Sequence, residues 1–503
     1  MINRRNGTAV ASATVLALAL AACGDASGGE AEGGTAQGPI TWMTVVHTPS
    51  TPEKNGPIER AIEEYTGVEI DVQWVPDASK EEKLNASLAS GQLADLVTMG
   101  PVASTPVRSA LGSGMFWDIE EYIDEFPNLA QIPEETIESA RIDGALYGVP
   151  YQRFLARYGV MVRQDWLDNL GLEVPSTIDE LTEIARAFTE DDPDGNGQHD
   201  TVGFYDREES FSLAFESLAG YFGAGVEFEV TDDGEVVPSF TTDAFKEAMA
   251  WYRGVYENGW VNQEFVTVQK QNQLDGIARG KGGIIVAGLF EAKNYMATAR
   301  SADPNTPMAW ALINDLTHDD VPRRILSDTA GGMGGWLAMP KSEVETEEEL
   351  RRVLGFIDAL LDEEAHGLMT NGIEGEHYEV DADGVVTITD QAAWEREVQP
   401  WSSSRPSEKA VVYESSDPYV NEANEKMLEN ADYVVTNPAQ SLSSPTYDSR
   451  WSTIEQQVID AYNQYITGQI EMADYEATIE RLRGEDLAQV IEELTAAYAA
   501  ANG

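Results

Sequence analysis

Nine residues near the middle of the chain carry the spacing of a cation-binding loop: Asp192-Pro193-Asp194-Gly195-Asn196-Gly197-Gln198-His199-Asp200. Oxygen-bearing side chains fall at loop positions 1, 3, 5 and 9, a backbone carbonyl is offered at 7, and glycine stands at 6, where a sharp turn converges hard oxygens on one ion. Asp192, Asp194, Asn196, Asp200 and the Gln198 carbonyl therefore form a candidate ligand set for a structural Ca2+, with no catalytic part to play. Position 12 of such a loop is Gly203, so the usual bidentate glutamate is missing and the remaining ligands are unassigned. The same residues also read as a solvated Asp/Gly/Asn turn.

A second chemically distinctive residue is Cys23, the only cysteine of the 503 residues. Arg4 and Arg5 precede an uncharged apolar run from Val10 to Ala22, the order of a secretory signal. That run is too short to span a bilayer comfortably. The string Leu20-Ala21-Ala22-Cys23 resembles a bacterial lipobox, in which small residues admit a signal peptidase and the thiol is acylated. Residues 1–22 are then a signal peptide, and Cys23 opens the mature chain carrying an N-terminal diacylglyceryl lipid, with palmitate among its acyl chains. The alternative is an ordinary core cysteine. Residues 23–38 are rich in Gly, Ala, Ser and Glu and lack large apolar side chains, which makes them a flexible leash between lipid and folded protein.

Length and charge narrow the function classes. About 480 residues remain after the signal, enough for two domains with sizeable cores. A net charge of -56 repels phosphate backbones and anionic headgroups, so nucleic acid is not expected as a partner. The acidic residues are dispersed, which fits a solvated folded surface. With one cysteine there is no internal disulfide, and stability must come from packing.

The elements that must position these groups begin at Ile40, where Ile40-Thr41-Trp42-Met43-Thr44-Val45-Val46 reads as a strand buried on both faces. Ile58, Ile62 and Tyr65 recur at helical spacing, with Gly67 as a left-handed stop. A strand over 68–74, a helix over 79–90 and a strand over 95–99 complete a βαβαβ order, which predicts a mostly parallel sheet with ligands at the carboxyl ends of its strands. Thr177 with Glu180, and Thr346 with Glu349, have capping-box spacing before apolar periodic runs. Gly282 to Leu289 is a short apolar strand, and Asp474 to Ala501 is helical in period.

The order of certain segments resembles the family 1 extracellular solute-binding proteins, lipid-anchored receptors of bacterial carbohydrate importers. The resemblance rests on Gly91-Gln92-Leu93-Ala94-Asp95-Leu96-Val97, on Gly144-Ala145-Leu146-Tyr147-Gly148-Val149-Pro150-Tyr151 and on Val162-Arg163-Gln164-Asp165-Trp166-Leu167 with Leu170-Gly171-Leu172 and Pro175. It continues through Gly280-Lys281-Gly282-Gly283-Ile284-Ile285 to Gly335-Trp336-Leu337-Ala338-Met339-Pro340-Lys341. It implies an α/β, two-lobed, periplasmic-binding-protein-like fold of type II with ligand in the cleft between lobes. By that analogy lobe 1 comprises residues 39–150 and 284–327, and lobe 2 comprises 151–283 and 328–503. The resemblance also implies an oligosaccharide ligand, the membrane permease subunits of an ABC importer as partners, a monomer, and a location on the outer face of the cell membrane. Alginate-binding relatives carry a similar loop with calcium, in which a ninth-position aspartate helps complete the shell.

Sugars present apolar faces ringed by hydroxyls, so their sites combine aromatic platforms with carboxylate, amide and arginine groups. Near strand ends and crossings the candidates are His47, Asp95, Tyr151, Arg153, Phe290, Glu291, Trp336 and Trp401. Trp336 is favoured because Gly331-Gly332-Met333-Gly334-Gly335 precedes it, a backbone able to approach a ligand closely. For each aromatic a core position is the competing reading. A lipid-anchored glycoside hydrolase is the rival class, since two carboxylates would suffice for it. No Gly-x-Ser-x-Gly, His-Glu-x-x-His or phosphate-loop motif occurs. A receptor feeding a sensor kinase shares every feature of the importer receptor.

Overall fold

The structure, a computed structural model, describes residues 38–502 apart from positions 49, 50, 101, 103, 143 and 409. Cys23, the signal 1–22 and nearly all of the 23–38 leash lie outside the described residues. Pro39–Gly503 forms one compact unit, built on two sheets that define two lobes. The first sheet contains β1 (Ile40–Val46), β2 (Ile70–Pro76), β3 (Leu96–Met99), β4 (Val149–Gln152) and, from much later in the chain, Met333–Ala338. The second contains β5 (Tyr158–Arg163), β6 (Val202–Phe204), β7 (Gly282–Gly288) and β8 (Trp310–Ile313). Numbering Met333–Ala338 as β9, the orders are β2-β1-β3-β9-β4 and β8-β5-β7-β6.

Local signals in the sequence account for most of these elements. β1 pairs in parallel with β2 and β3, as the βαβαβ order requires. Helix Pro57–Thr66 ends at Gly67, whose φ of 68° lets its N–H reach back to the Glu63 carbonyl. The Thr177 hydroxyl accepts from the Glu180 N–H at the start of Ile178–Glu190, and Thr346 with Glu349 closes a full capping box at Glu347–Ala359. The C-terminal run is two helices, Met472–Leu482 and Ala488–Asn502, broken at Glu485 where the backbone leaves helical geometry.

Two features differ from the expectation. β9 is antiparallel to both β3 and β4, so the first sheet is mixed. Lobe membership also changes: β7 and β8, which lie in 284–327 or border it, pair with β5 in the second sheet, while β9 and helix Glu347–Ala359 pack into the first core. The physical reason is edge pairing. β9 fills the gap between β3 and β4, and every residue of β7 is buried, with neighbours on both edges. Of 328–503, helix Pro418–Glu429, through Ala423 and Met427, and the C-terminal helices, through Trp451, Tyr462, Tyr475 and Val490, remain with the second lobe.

Three segments therefore cross between lobes: 153–157, 327–332 and the stretch after Ser404. They are bonded to one another. Arg153 N–H donates to Gly332 O at 2.8 Å, Gln152 N–H to Pro406 O at 2.8 Å, and the Thr329 hydroxyl to Phe154 O at 2.6 Å. Among the described residues no helix is long and apolar enough to cross a membrane.

Candidate functional site

The carboxyl ends of β1, β2 and β3 open onto a cavity of about 2590 Å³ between the lobes, several times the usual size of a small-molecule pocket. Its first-lobe wall includes Thr44 to Thr48, Pro76 and Gly100; its second-lobe wall includes Arg207 to Glu209, Phe211, Phe290 and Lys293. The floor is formed by the crossing segments.

That floor is an ion network. Glu408 lies 3.2 Å from Arg153 and 3.0 Å from Arg157, and Arg157 also pairs with Asp328 at 2.9 Å. One carboxylate thus serves two guanidiniums from another crossing. Burial works against the Arg157 charge, but Asp328 and Glu408 outweigh it and hold the group protonated. Arg153, Arg157 and Arg405 hold the Glu408 carboxyl below its ordinary range despite its burial.

One end of the cleft is basic. Lys293, near the start of helix Ala292–Ala302, has its ammonium 5.0 Å over the Trp394 ring, and burial followed by repulsion from Arg405 lowers its pKa. Arg405 donates to the Ser402 carbonyl at 2.6 Å, and its Nε is buried with no hydrogen-bond partner. His366, on the same wall, is pushed down to about 4 by burial and by Arg405, so it stays neutral.

The other end is acidic. Glu216, Glu227 and Glu455 line it with Tyr447 and Trp451. Burial, reinforced by the neighbouring carboxylates, pushes Glu216 up to about 8 and Glu455 to about 7. Glu227 accepts from the Tyr447 hydroxyl at 2.8 Å and from Asn437 Nδ2 at 2.7 Å.

The expected ligand residues divide accordingly. His47, Tyr151, Arg153, Phe290 and Glu291 line the cavity. His47 is 3.3 Å from Asp77, and its hydrogen bond, with that of Lys80, holds the Asp77 carboxyl well below the usual range. The Tyr151 ring is covered by Arg153 at 3.5 Å and its hydroxyl donates to Ser403 O, so that face is not an open platform. Arg157 lies 5.4 Å over Phe290. Glu291 is 3.2 Å from Lys270 and accepts from Asn294.

Three candidates are placed elsewhere. Asp95 accepts from the Thr41 N–H at 2.7 Å and the Thr41 hydroxyl at 2.8 Å, tying β1 to β3, and lies off the cavity wall. Trp336 is wholly buried in the first core and donates to Ala140 O at 2.8 Å. The glycines before it serve sheet packing: a Cβ at Gly335, φ 140°, would stand 2.0 Å from Met99 O. Trp401 is likewise buried, edge-on to Trp42 and Trp74. Lys293, Trp394, Arg405, Glu408 and Glu216 were not singled out by sequence, because nothing local distinguishes them.

The loop at 192–200 is off the cavity wall. Gly195 and Gly197 take φ of 68° and 77°, and the Gly197 N–H donates to Asp192 at 2.9 Å, giving the sharp turn the motif requires. The Asn196 amide nitrogen donates to Asp194 at 2.9 Å and to Asp200 at 3.2 Å, standing between two carboxylates. Burial and the charges of Asp200 and Asp192 raise the Asp194 pKa. Lys281 takes Asp200 at 2.9 Å. Among the described residues, three His, Asp or Glu ligand atoms come within 4.8 Å of one another at Glu247, His318 and Asp319 but not in this loop. In this arrangement the Asn196 amide nitrogen separates Asp194 from Asp200, and Asp200 is turned to Lys281. Gly203 cannot carry a twelfth-position side chain, since its Cβ would lie 2.6 Å from the Ala185 backbone.

Comparison with known proteins gives a consistent family. The "Polygalacturonan/rhamnogalacturonan-binding protein YtcQ" of Bacillus subtilis (strain 168) is 35% identical over 461 residues, 91% of each chain. "Lipoprotein LipO" of the same organism is 29% identical over 91% of each. Among solved structures, an S. pneumoniae ABC-transporter substrate-binding protein, FusA, as an EF-hand mutant in complex with fructo-nystose, superposes with a TM-score of 0.68 at 18% identity, covering 92% of this chain and 99% of that one. The sequence profile of the bacterial extracellular solute-binding proteins matches residues 48–367, and the chain belongs to that family.

Proposed function

We propose that this protein captures an oligosaccharide in the interlobe cleft and delivers it to the membrane subunits of an ABC importer. The observation that carries the reading is the cleft itself: a cavity of about 2590 Å³ whose walls come from both lobes and whose floor is three bonded crossings. A ligand touching both walls binds the closed arrangement better than the open one, and that difference in affinity is what drives closure. The resemblance to a relative named for binding polygalacturonan supports a sugar ligand. Cys23, following Leu20-Ala21-Ala22, is the proposed lipid attachment, which would hold the receptor at the outer face of the membrane; the relative named as a lipoprotein supports this. Calcium at Asp192, Asp194, Asn196, Gln198 and Asp200 would brace the second lobe, and the EF-hand named in a similar structure supports that reading.

The test is a thermal-shift panel of purified protein against neutral oligosaccharides, acidic oligosaccharides and peptides, followed by recovery of the stabilising compound. Stabilisation by an oligosaccharide that is recovered intact is the expected result, with the melting temperature rising with ligand concentration by mass action. Stabilisation by peptides alone would replace the ligand class, and recovery of cleaved sugar would replace the receptor with a hydrolase.

A further inference from the structure

The basic end of the cleft holds two cations, Lys293 and Arg405, that have no carboxylate within ion-pair distance among the described residues. Lining the cavity, Lys80 pairs with Asp77, Arg108 with Asp448, Arg153 and Arg157 with Glu408, Arg207 with Glu209, and Lys270 with Glu291. Among the described residues, only Lys293, Arg405 and the exposed Arg300 are lysines or arginines on that wall with no carboxylate within ion-pair distance. The acids nearest to Lys293 and Arg405 attract them without reaching ion-pair distance. Glu408 gives one oxygen to both Arg153 and Arg157 while its other oxygen is buried with no hydrogen-bond partner, Glu291 is held by Lys270 and Asn294, and Asp417 accepts from the Tyr419 N–H at the start of its helix.

This is costly in a chain with 88 acidic and 32 basic residues, where a counter-ion is the easiest group to provide. Arg405 adds a buried Nε with no acceptor, and a guanidinium cannot discharge itself by losing a proton. Lys293 is backed by Trp394, which presents its ring to the ammonium and anchors its own indole N–H on Thr370 O at 3.1 Å. Burial first and the Arg405 charge second lower the pKa of both Lys293 and His366. The arrangement is fixed from three directions: helix Ala292–Ala302, the Trp394 turn, and the crossing after Ser404.

We infer that Lys293 and Arg405 form a subsite for a carboxylate of the ligand, so that the oligosaccharide taken by this cleft carries a uronate unit at that end. The inference rests on the sugar-binding reading above and deepens it by naming the chemical class. A carboxylate accepts from both groups through charge-assisted hydrogen bonds, and Arg405 Nε gains the acceptor it lacks.

The test is calorimetric titration of the wild-type protein with an oligogalacturonate of four to six units and with its fully methyl-esterified form. The acid should bind more tightly than the ester by about tenfold or more, as expected for a charge-assisted bond in a desolvated site. In Lys293→Met the ratio of the two affinities should fall toward one, and Lys293→Arg should restore part of it. The wild-type comparison needs no variant, so a poorly folding substitution does not blunt the test. Equal binding of acid and ester would overturn the subsite, as would binding of neutral oligosaccharides with no response to either form; both outcomes leave the sugar receptor standing. Absence of any response to acidic or neutral oligosaccharides would overturn the broader reading and the subsite with it.

Discussion

The two ends of the cleft carry opposite charge problems and resolve them differently. At the acidic end, Glu216 at about 8 and Glu455 at about 7 can take protons near neutrality, so the cluster discharges itself without a ligand. At the basic end Arg405 has no such option, and Lys293 would have to titrate far from its ordinary value of 10.5 to escape. A self-neutralising cluster is tolerant of whatever lies against it, as hydroxyl or as carboxyl. An arginine with an unfilled donor favours an anion, which supplies an acceptor and the opposite charge together. On the proposed uronate subsite, the ligand's charged unit would face Lys293 and its hydroxyl-rich part would face Glu216.

The most damaging way to break this comparison is to remove the carboxylate that keeps the floor between the two ends balanced. Glu408→Gln leaves Arg153 and Arg157 with one carboxylate, Asp328, between them, and Arg405 more repelled. A loss of about 3 kcal/mol in folding stability is expected for breaking a largely buried pair, measured by urea unfolding. A change within experimental error would show that the crossings are held by their backbone bonds alone.

A smaller effect sharpens the acidic end. The Glu216 carboxyl is raised from 4.5 to about 8, so the folded chain holds that proton more tightly than the unfolded chain does. Stability from this group is therefore full at low pH, declines from about pH 4.5 upward and has been lost once pH passes 8. Glu216→Gln removes the decline. Relative to wild type it should gain about 2 kcal/mol between pH 5 and pH 8.5, a figure discounted for the half-exposed side chain. Parallel stability–pH curves for the two proteins would place Glu216 in contact with bulk solvent.

The smallest effect concerns a region outside the comparison and serves as its control. The 192–200 loop is off the cavity wall, so a chelator should lower the melting temperature by a few degrees, about the shift expected from losing 1 kcal/mol or so, without changing the acid-to-ester preference at Lys293. Asp194→Ala with Asp200→Ala should remove the chelator response. Identical melting of the wild type with and without chelator would leave the loop as a turn.

Elements with local causes were legible in the sequence. Thr177 and Glu180 announce a helix because a hydroxyl three residues ahead of an N–H closes that bond regardless of the rest of the fold. Gly67 stops another by its own backbone freedom. β9 was legible only as a stretch of the family resemblance and not as a strand or a partner of β3, since such long-range pairing depends on which edge is left open. Trp336 misled for the same reason: its glycines do permit close approach, but what approaches is the Met99 carbonyl and not a ligand. The basic end was illegible because its signal is an absent counter-charge, a property of the folded neighbourhood and not of Lys293 or Arg405 alone.

The central claim is that ligand draws the two lobes together over the cleft. Small-angle X-ray scattering with and without saturating oligogalacturonate tests it directly. The account predicts a smaller radius of gyration with ligand present, in proportion to the fraction bound. Binding established by calorimetry together with an unchanged radius would contradict it, placing the ligand on one lobe without closure.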